Sequence, residues 1–409
     1  MEFFKSSIWE IKTASSLKIL GGMLAAGHLI QFLFWQTTGQ LPLQYALETS
    51  PMCWPLFDSC TWLRLLPLAV LKVFLYAYAF FAFSSLFFFF FTRFTGFAFF
   101  LLVCTFVPGF LLYIQDYRLS SNPGYVLFLF TFLYMLVPGK ARLFRLFVVS
   151  FFIASGLMKL SPEWLSGSWF MQHWPVHAKL AEWLAVLSTL IELIASAALL
   201  LRDARYFWTG WITLFSYLCL QWWAMGYFGP TLFLGFLIFI GAQDLELRKS
   251  DREFIYQSFI RPEPTKLWTN ILMLTFWLSL AAAHFHFPGR HLLLPISSVF
   301  APHPVASTET CEQSTYAVYK SHTDEIEVPA RAGRPETMQC SPYLRFLDIK
   351  SLCQNHASDP DFQTIASFLS IRRLRDSHFK KAFEVRDFCN SNVTFKSLGL
   401  STWITSGRE

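Results

Sequence analysis

The chain has 409 residues, 54% of them apolar and only 15% charged, and its mean hydropathy is positive. Soluble domains run near about 45–50% apolar and about a quarter charged, so the composition argues against an ordinary cytosolic enzyme. Residues 1–300 carry 20 Lys+Arg and 14 Asp+Glu, against 13 and 13 in 301–409. The whole +6 balance therefore belongs to the apolar part, where basic residues report membrane orientation rather than nucleic-acid binding.

Taken in chain order, the apolar runs predict nine spans: 16–36, 65–91, 95–115, 124–137, 143–160, 180–201, 206–225, 227–243 and 267–287. Most reach the roughly 20 residues that cross about 30 Å of hydrocarbon as a helix. The runs 124–137 and 227–243 are short and lie beside Pro123, Pro138, Gly229 and Pro230, which leaves open a re-entrant or kinked segment at each. The first run is read as a retained anchor helix rather than a signal peptide. Connections expected on one side hold most of the basic residues, among them Lys12, Lys18, Arg93, Lys140, Arg145, Arg205 and Arg248, whereas the other side has Arg64, Arg118, Lys179 and Arg290. The alternation predicts a cytoplasmic N-terminus, and an odd number of spans puts the tail in the periplasm or an organelle lumen, as for a bacterial inner-membrane or endoplasmic-reticulum protein.

The predicted fold is thus an all-α multi-pass membrane protein of about nine helices (1–290) with a small, disulfide-containing extracytoplasmic domain (291–409). Cys53, Cys60, Cys311, Cys340, Cys353 and Cys389 fall on the oxidising side, an even number whose 15 pairings the sequence does not choose between. In the tail, the apolar residues from Phe362 to Leu369 read as helically spaced, and Arg372, Arg373 and Arg375 as a solvated helix face.

Ionisable groups inside apolar runs are costly to keep there and are candidate functional residues. Lys72 lies near a helix end and reads as a snorkelling side chain. Glu192 sits deep in its span and must be protonated, paired or facing a wet cavity. Lys159 closes the fifth span after Ala154-Ser155-Gly156-Leu157-Met158, and the following aromatic segment, Ser161 to Trp169, is placed to fold back over it. Desolvation of that kind lowers a lysine pKa and turns the amine into a usable base. His173 and His177, four apart, have the spacing of a metal pair but no accompanying zinc motif, so no metal site is expected. His284, His286 and His291 read as an interfacial cluster.

The stretch Gly156-Leu157-Met158-Lys159-Leu160, followed by Trp164, Gly167 and the pair His173-Trp174, resembles the vitamin K-dependent gamma-carboxylase family and its relatives, the horizontally transferred transmembrane domain proteins. Lipase maturation factors share a related Gly-x-x-Lys-Leu pattern. The likeness extends through Thr189-Leu190-Ile191-Glu192-Leu193 and covers residues 115–245 best. It implies catalytic roles for Lys159, Glu192 and His173, and substrate or cofactor contacts for Trp164, Gly167, Trp174, Asn122 and Tyr125. Reduced vitamin K or another hydroquinone would be the reductant, with CO2 and O2 as co-substrates, and Lys159 would start proton abstraction that ends in carboxylation of a glutamate. At about 18 Å along its helix, Glu192 is expected to support the site without meeting Lys159, unless the 161–179 loop dips inward. Where the carboxylases carry a histidine before the fourth span, this chain has Pro123. The expected partners are the bilayer, a lipid-soluble quinone and an extracytoplasmic protein client, with no nucleic acid. The rival reading is a non-catalytic maturation or scaffold protein like the lipase maturation factors, and a transporter ranks last.

Overall fold

Inside hydrocarbon every backbone polar group needs an internal partner, and Leu- and Phe-rich runs meet that need as helices. The computed structural model describes residues 2–37, 42–43, 67–91, 94–116, 119, 121–137, 139–160, 162–201, 203–225, 228–249, 271, 275, 309–326, 340, 342–373, 378–395 and 403. Its first part runs α1 (Glu2–Thr13), α2 (Ser15–Thr37), α3 (Leu68–Phe90), α4 (Thr95–Ile114), α5 (Asn122–Leu136) and α6 (Lys140–Met158). Two short helices follow, α7 (Pro162–Leu165) and α8 (Ser168–His173), then α9 (Ala178–Ala198), α10 (Ala204–Met225) and α11 (Phe228–Lys249).

Five of these helices are long and apolar enough to cross a membrane: Ser15–Thr37, Leu68–Phe90, Thr95–Ile114, Ala178–Ala198 and Phe228–Arg248. Pro123–Leu136 and Leu143–Leu157 are shorter apolar helices. The spans expose large apolar side chains such as Phe83, Phe90, Trp183 and Ile194, as faces turned to lipid do. The protein is an integral multi-pass membrane protein. The expected span 267–287, with His284, His286 and His291, and the cysteines Cys53 and Cys60 lie outside the described residues. Of the alternatives left open at 227–243, the chain forms one continuous helix, α11, which runs to Lys249.

Two carboxylates tie the basal end of the bundle together. Glu246 of α11 accepts from Ser15 N at 2.8 Å, Ser16 N at 3.1 Å and Ser16 Oγ at 2.7 Å. Glu10 of α1 accepts from Gly139 N at 3.0 Å and Lys140 N at 3.1 Å. Each places an anion at a helix N-terminus, where free N–H groups and the helix dipole favour it. Lys140, expected in a connection, is fully buried and donates to Ser7 Oγ and Val137 O.

At the distal end Trp35, Leu71, Leu75, Leu112, Tyr113 and Phe128 form an apolar cluster that also takes in Tyr343 and Leu344 of the tail. The tail domain therefore docks at the end of the bundle where α2 and α4 finish and α3 and α5 begin. It is an antiparallel sheet of order β2-β1-β3-β4, with β1 Glu309–Tyr319, β2 Thr323–Glu325, β3 Phe362–Arg373 and β4 Lys380–Val385, packed on α12 (Pro342–His356). Disulfides Cys311–Cys340 and Cys353–Cys389 join α12 and the turn before it to the sheet and the turn after it. This corrects the helical reading of 362–369, which is strand β3. Arg372 accordingly lies at a strand end, its guanidinium 4.8 Å from the ring centre of Phe379, and not on a helix face.

Candidate functional site

The candidate site forms at the distal end of α6, where the last backbone turn closes by Lys159 N donating to Ser155 O at 3.2 Å. Its neighbour is α9, whose residues Ile191–Ala195 form a π-helical turn. The sequence prepares that irregularity: Ser188 Oγ and Thr189 Oγ1 both donate back to Ala185 O at 2.8 Å, a local competition that loosens α-helical hydrogen bonding just before the wide turn. Gly156 lets the two helices approach. A Cβ there would meet the Leu193 side chain at 2.9 Å and Glu192 Cβ at 3.2 Å.

Across this contact Lys159 Nζ and Glu192 Oε1 are 2.5 Å apart, with side chains 1% and 4% exposed. The expectation that Glu192 lies too deep to meet Lys159 is therefore wrong. The rise along α9 is as expected, but it counts from a start level with the end of α6, and α9 starts well beyond that level. Residues 162–177 rise over the site, and α9 descends past them before reaching Glu192. The wide π turn then holds the carboxylate inward.

Lys159 Nζ also donates to the Tyr217 hydroxyl at 2.9 Å, which in turn donates to Glu192 Oε1 at 3.1 Å. Both donors thus converge on one carboxylate oxygen. The other, Glu192 Oε2, is buried and has no hydrogen-bond partner among the described residues. Sequence reasoning missed Tyr217, which α10 contributes from the run Leu214-Phe215-Ser216-Tyr217-Leu218. The signal was available in principle: a buried ammonium has three protons to satisfy, so a hydroxyl on a neighbouring span was worth seeking.

The aromatic flap covers the amine. Trp164 of α7 is 1% exposed, its ring centre is 4.8 Å from Lys159 Nζ, and its indole N–H donates to Ala185 O at 3.2 Å and Ser188 Oγ at 3.3 Å. A cation over an indole face is attracted by the ring quadrupole, more strongly when water is excluded. Trp169 stacks on Trp164 at 5.9 Å, and Phe170 packs edge-on at 5.6 Å. Gly167 seats the flap, with φ at 69° and no room for a Cβ, which would fall 2.3 Å from the backbone carbon of Ala181.

The other expected residues divide. Trp174 continues the aromatic wall, 5.8 Å from Phe170 and 5.9 Å from Trp223. His173 ends α8, and its side chain lies outside the described residues. His177 is exposed and caps α9, its Nδ1 accepting from Lys179 N at 3.4 Å. Asn122 and Tyr125 lie on α5; the side chain of Asn122 is outside the described residues, and the side-chain partners of Lys159 among those described come from α7, α9 and α10 and do not include Tyr125. The first turn of α5 instead abuts Gln31 of α2. Among the described residues no three His, Cys, Asp or Glu side chains converge as metal ligands would.

One comparison bears on this geometry. The DoxX family model matches residues 141–207. That DoxX-matching stretch runs from α6 through the flap and α9 into α10, and so holds Lys159, Trp164, Gly167 and Glu192 but not Tyr217. Comparison with curated proteins and with solved structures finds no match.

Proposed function

We propose that the protein is a membrane-embedded, carboxylase-like enzyme in which the coupled Lys159–Glu192 pair is the base. The observation that carries this reading is a buried amine–carboxylate pair that leaves one carboxylate oxygen without a partner under an aromatic cover. A paired charge kept out of water is a weak source of stability, so its presence calls for a functional account. The residues fit a reductant bearing a phenolic hydroxyl: Glu192 Oε2 offers the missing acceptor, Trp164 a flat wall, and the bilayer a route for a lipid-soluble molecule. A hydroquinone bound there would supply the reducing equivalents for O2-dependent carboxylation with CO2. The chain's own residues take up a hydroxyl proton and hold it between amine and carboxylate. Tyr217 fixes both partners, and the flap keeps water from competing.

The reading also includes nine spans, a cytoplasmic N-terminus and an extracytoplasmic tail. Three observations support it. Glu10, Glu246 and the basic residues Lys140, Arg145 and Arg248 gather towards the basal end of the bundle. The tail docks at the distal end, beside the end of α6 that carries Lys159. Residue 249 and residue 343 stand at opposite ends, as an odd number of crossings requires. Thiol labelling of single cysteines placed in the 38–64 and 250–266 segments should report opposite sides.

The test of activity uses purified full-length protein in nanodiscs, a reduced short-chain quinone, labelled CO2 and a glutamate-containing peptide. Incorporation should occur in the wild type and fall to background in Lys159→Ala and Lys159→Arg, because a guanidinium cannot serve as base at neutral pH. Turnover surviving in both variants removes the base. No turnover in the wild type, with an extracytoplasmic protein co-purifying, selects the scaffold reading instead.

A further inference from the structure

A second buried polar stripe, on α2, takes no part in this chemistry. His28, Gln31 and Trp35 are three and four residues apart, share one helix face, and are fully buried. His28 is satisfied on both ring nitrogens, Nδ1 with the Tyr78 hydroxyl at 3.0 Å and Nε2 with Thr131 Oγ1 at 3.0 Å. Gln31 and Trp35 differ: Gln31 Oε1, Gln31 Nε2 and Trp35 Nε1 have no hydrogen-bond partner among the described residues. Three orphaned polar atoms on adjacent turns of one helix are too many to leave unexplained, since each costs about what a lost hydrogen bond costs.

The chemistry of the orphans defines what completes them. They comprise an indole N–H and an amide NH2 as donors and one amide oxygen as acceptor, all neutral. A hydroxyl matches that set, its oxygen accepting from the two N–H groups and its proton going to Gln31 Oε1. An anion would leave Gln31 Oε1 without a donor, and a cation would leave the N–H groups without an acceptor. Either would also bring a bare charge among the rings that line the stripe: Tyr78, 5.8 Å from Trp35, and Phe128, 5.1 Å from His28.

We propose that the Gln31–Trp35 face is a binding site for a neutral hydroxyl group, borne by a lipid-soluble phenol or alcohol or by a buried water. Trp35, Tyr78 and Phe128 belong to the apolar cluster that Tyr343 and Leu344 of the tail join, so the occupant sits where tail and bundle meet. The site shares no residue with the Lys159 pair and stands whether or not that pair is catalytic.

The test is indole 15N–1H spectroscopy on full-length protein in nanodiscs, with the Trp35 signal identified by its loss in Trp35→Phe. In the ligand-free protein the Trp35 indole proton is expected at a hydrogen-bonded shift with a cross-peak to water. Titration with 4-propylphenol then separates the sources. A saturable shift of Trp35 that displaces the water cross-peak assigns the site to a lipid-soluble hydroxyl, and an immobile Trp35 signal with the cross-peak kept assigns it to water. Gln31→Met and Gln31→Leu should weaken phenol binding about fivefold or more, or abolish the water cross-peak, while the other indole signals stay in place. A non-bonded Trp35 shift with and without phenol overturns the proposal, as does an unchanged Trp35 signal in both Gln31 variants.

Discussion

Breaking the Lys159–Glu192 pair from one side should cost more stability than breaking it from both sides. At 2.5 Å the pair's attraction is about 7 kcal/mol for an effective dielectric of about 20, and removing each ion from water offsets several kcal/mol of it. Lys159→Met or Glu192→Leu alone strands a charge that is almost wholly buried, so each should lower stability by about 3–5 kcal/mol. The double variant replaces both ions with apolar groups of similar volume and should fall within about 1 kcal/mol of wild type, apart from the Tyr217 hydroxyl, whose lost partners add about 1–2 kcal/mol. The double-mutant cycle should therefore return a coupling above about 2 kcal/mol. It is measured by SDS-driven unfolding in mixed micelles, following tryptophan fluorescence. Additive effects, with a coupling below about 0.5 kcal/mol, would mean that the two groups are not paired in the bilayer, and the proposed base would lose its geometry.

Other consequences are open to simpler measurements. Gly156→Val should push α6 away from the π turn, lowering stability by about 1–3 kcal/mol and any turnover with it, whereas an unaffected variant would show that the helices do not touch there. Trp164→Ala should cost about 3–5 kcal/mol and make Lys159 reactive to a water-soluble amine reagent, read by peptide mass spectrometry; a lysine that stays protected would mean the flap is not its cover. Replacing Cys353 and Cys389 by Ser opens a link between positions 36 residues apart and should destabilise the tail by about 4 kcal/mol on the chain-entropy account, read by proteolysis of the tail. In β4, Lys381 Nζ hydrogen-bonds Glu384 and holds its carboxyl below the usual range. A carboxyl depressed on folding stabilises the folded state above its unfolded pKa and loses that contribution as pH falls through the folded value. Lys381→Met should flatten this acid-side slope in the tail's unfolding, and an unchanged slope would count against the contact.

What could be read from the sequence follows from what each signal depends on. Long apolar runs need only internal backbone satisfaction, so eight of the nine expected spans coincide with helices among the described residues, the one beside Pro230 included. The tail was misread because a polar residue stands on its core face. Ile365, Ser367 and Leu369 alternate inward along β3, but Ser367 is buried through its hydrogen bond to Thr315 Oγ1, 2.9 Å away. With that serine counted as outward-facing, Ile365, Phe368 and Leu369 mimic a helical stripe. At the site, the sequence supplied Lys159, the flap and Glu192 separately. Their meeting depended on how far α9 overhangs the end of α6, a tertiary quantity that helical rise cannot give. The disulfide pairing was illegible for the same reason, and the choice of Tyr217 among the hydroxyls of neighbouring spans likewise, since each is fixed by which chain segments pack together.

The π turn at Ile191–Ala195 means that spacing along α9 is held more tightly than residue identity. Ile194 within it faces outward, and its side chain is a minor loss. Deleting that residue is a different matter, because the wide turn would tighten to an ordinary one: the tightening absorbs the missing residue and leaves the downstream segment nearly in register, but it withdraws the bulge that sets Glu192 against Lys159. Ser196 would keep its buried position, and Leu199 O would go on accepting from the Arg145 guanidinium. A deletion here, though confined to the greasiest and least distinctive letters of the chain, would therefore be felt at the lysine and leave the arginine below undisturbed.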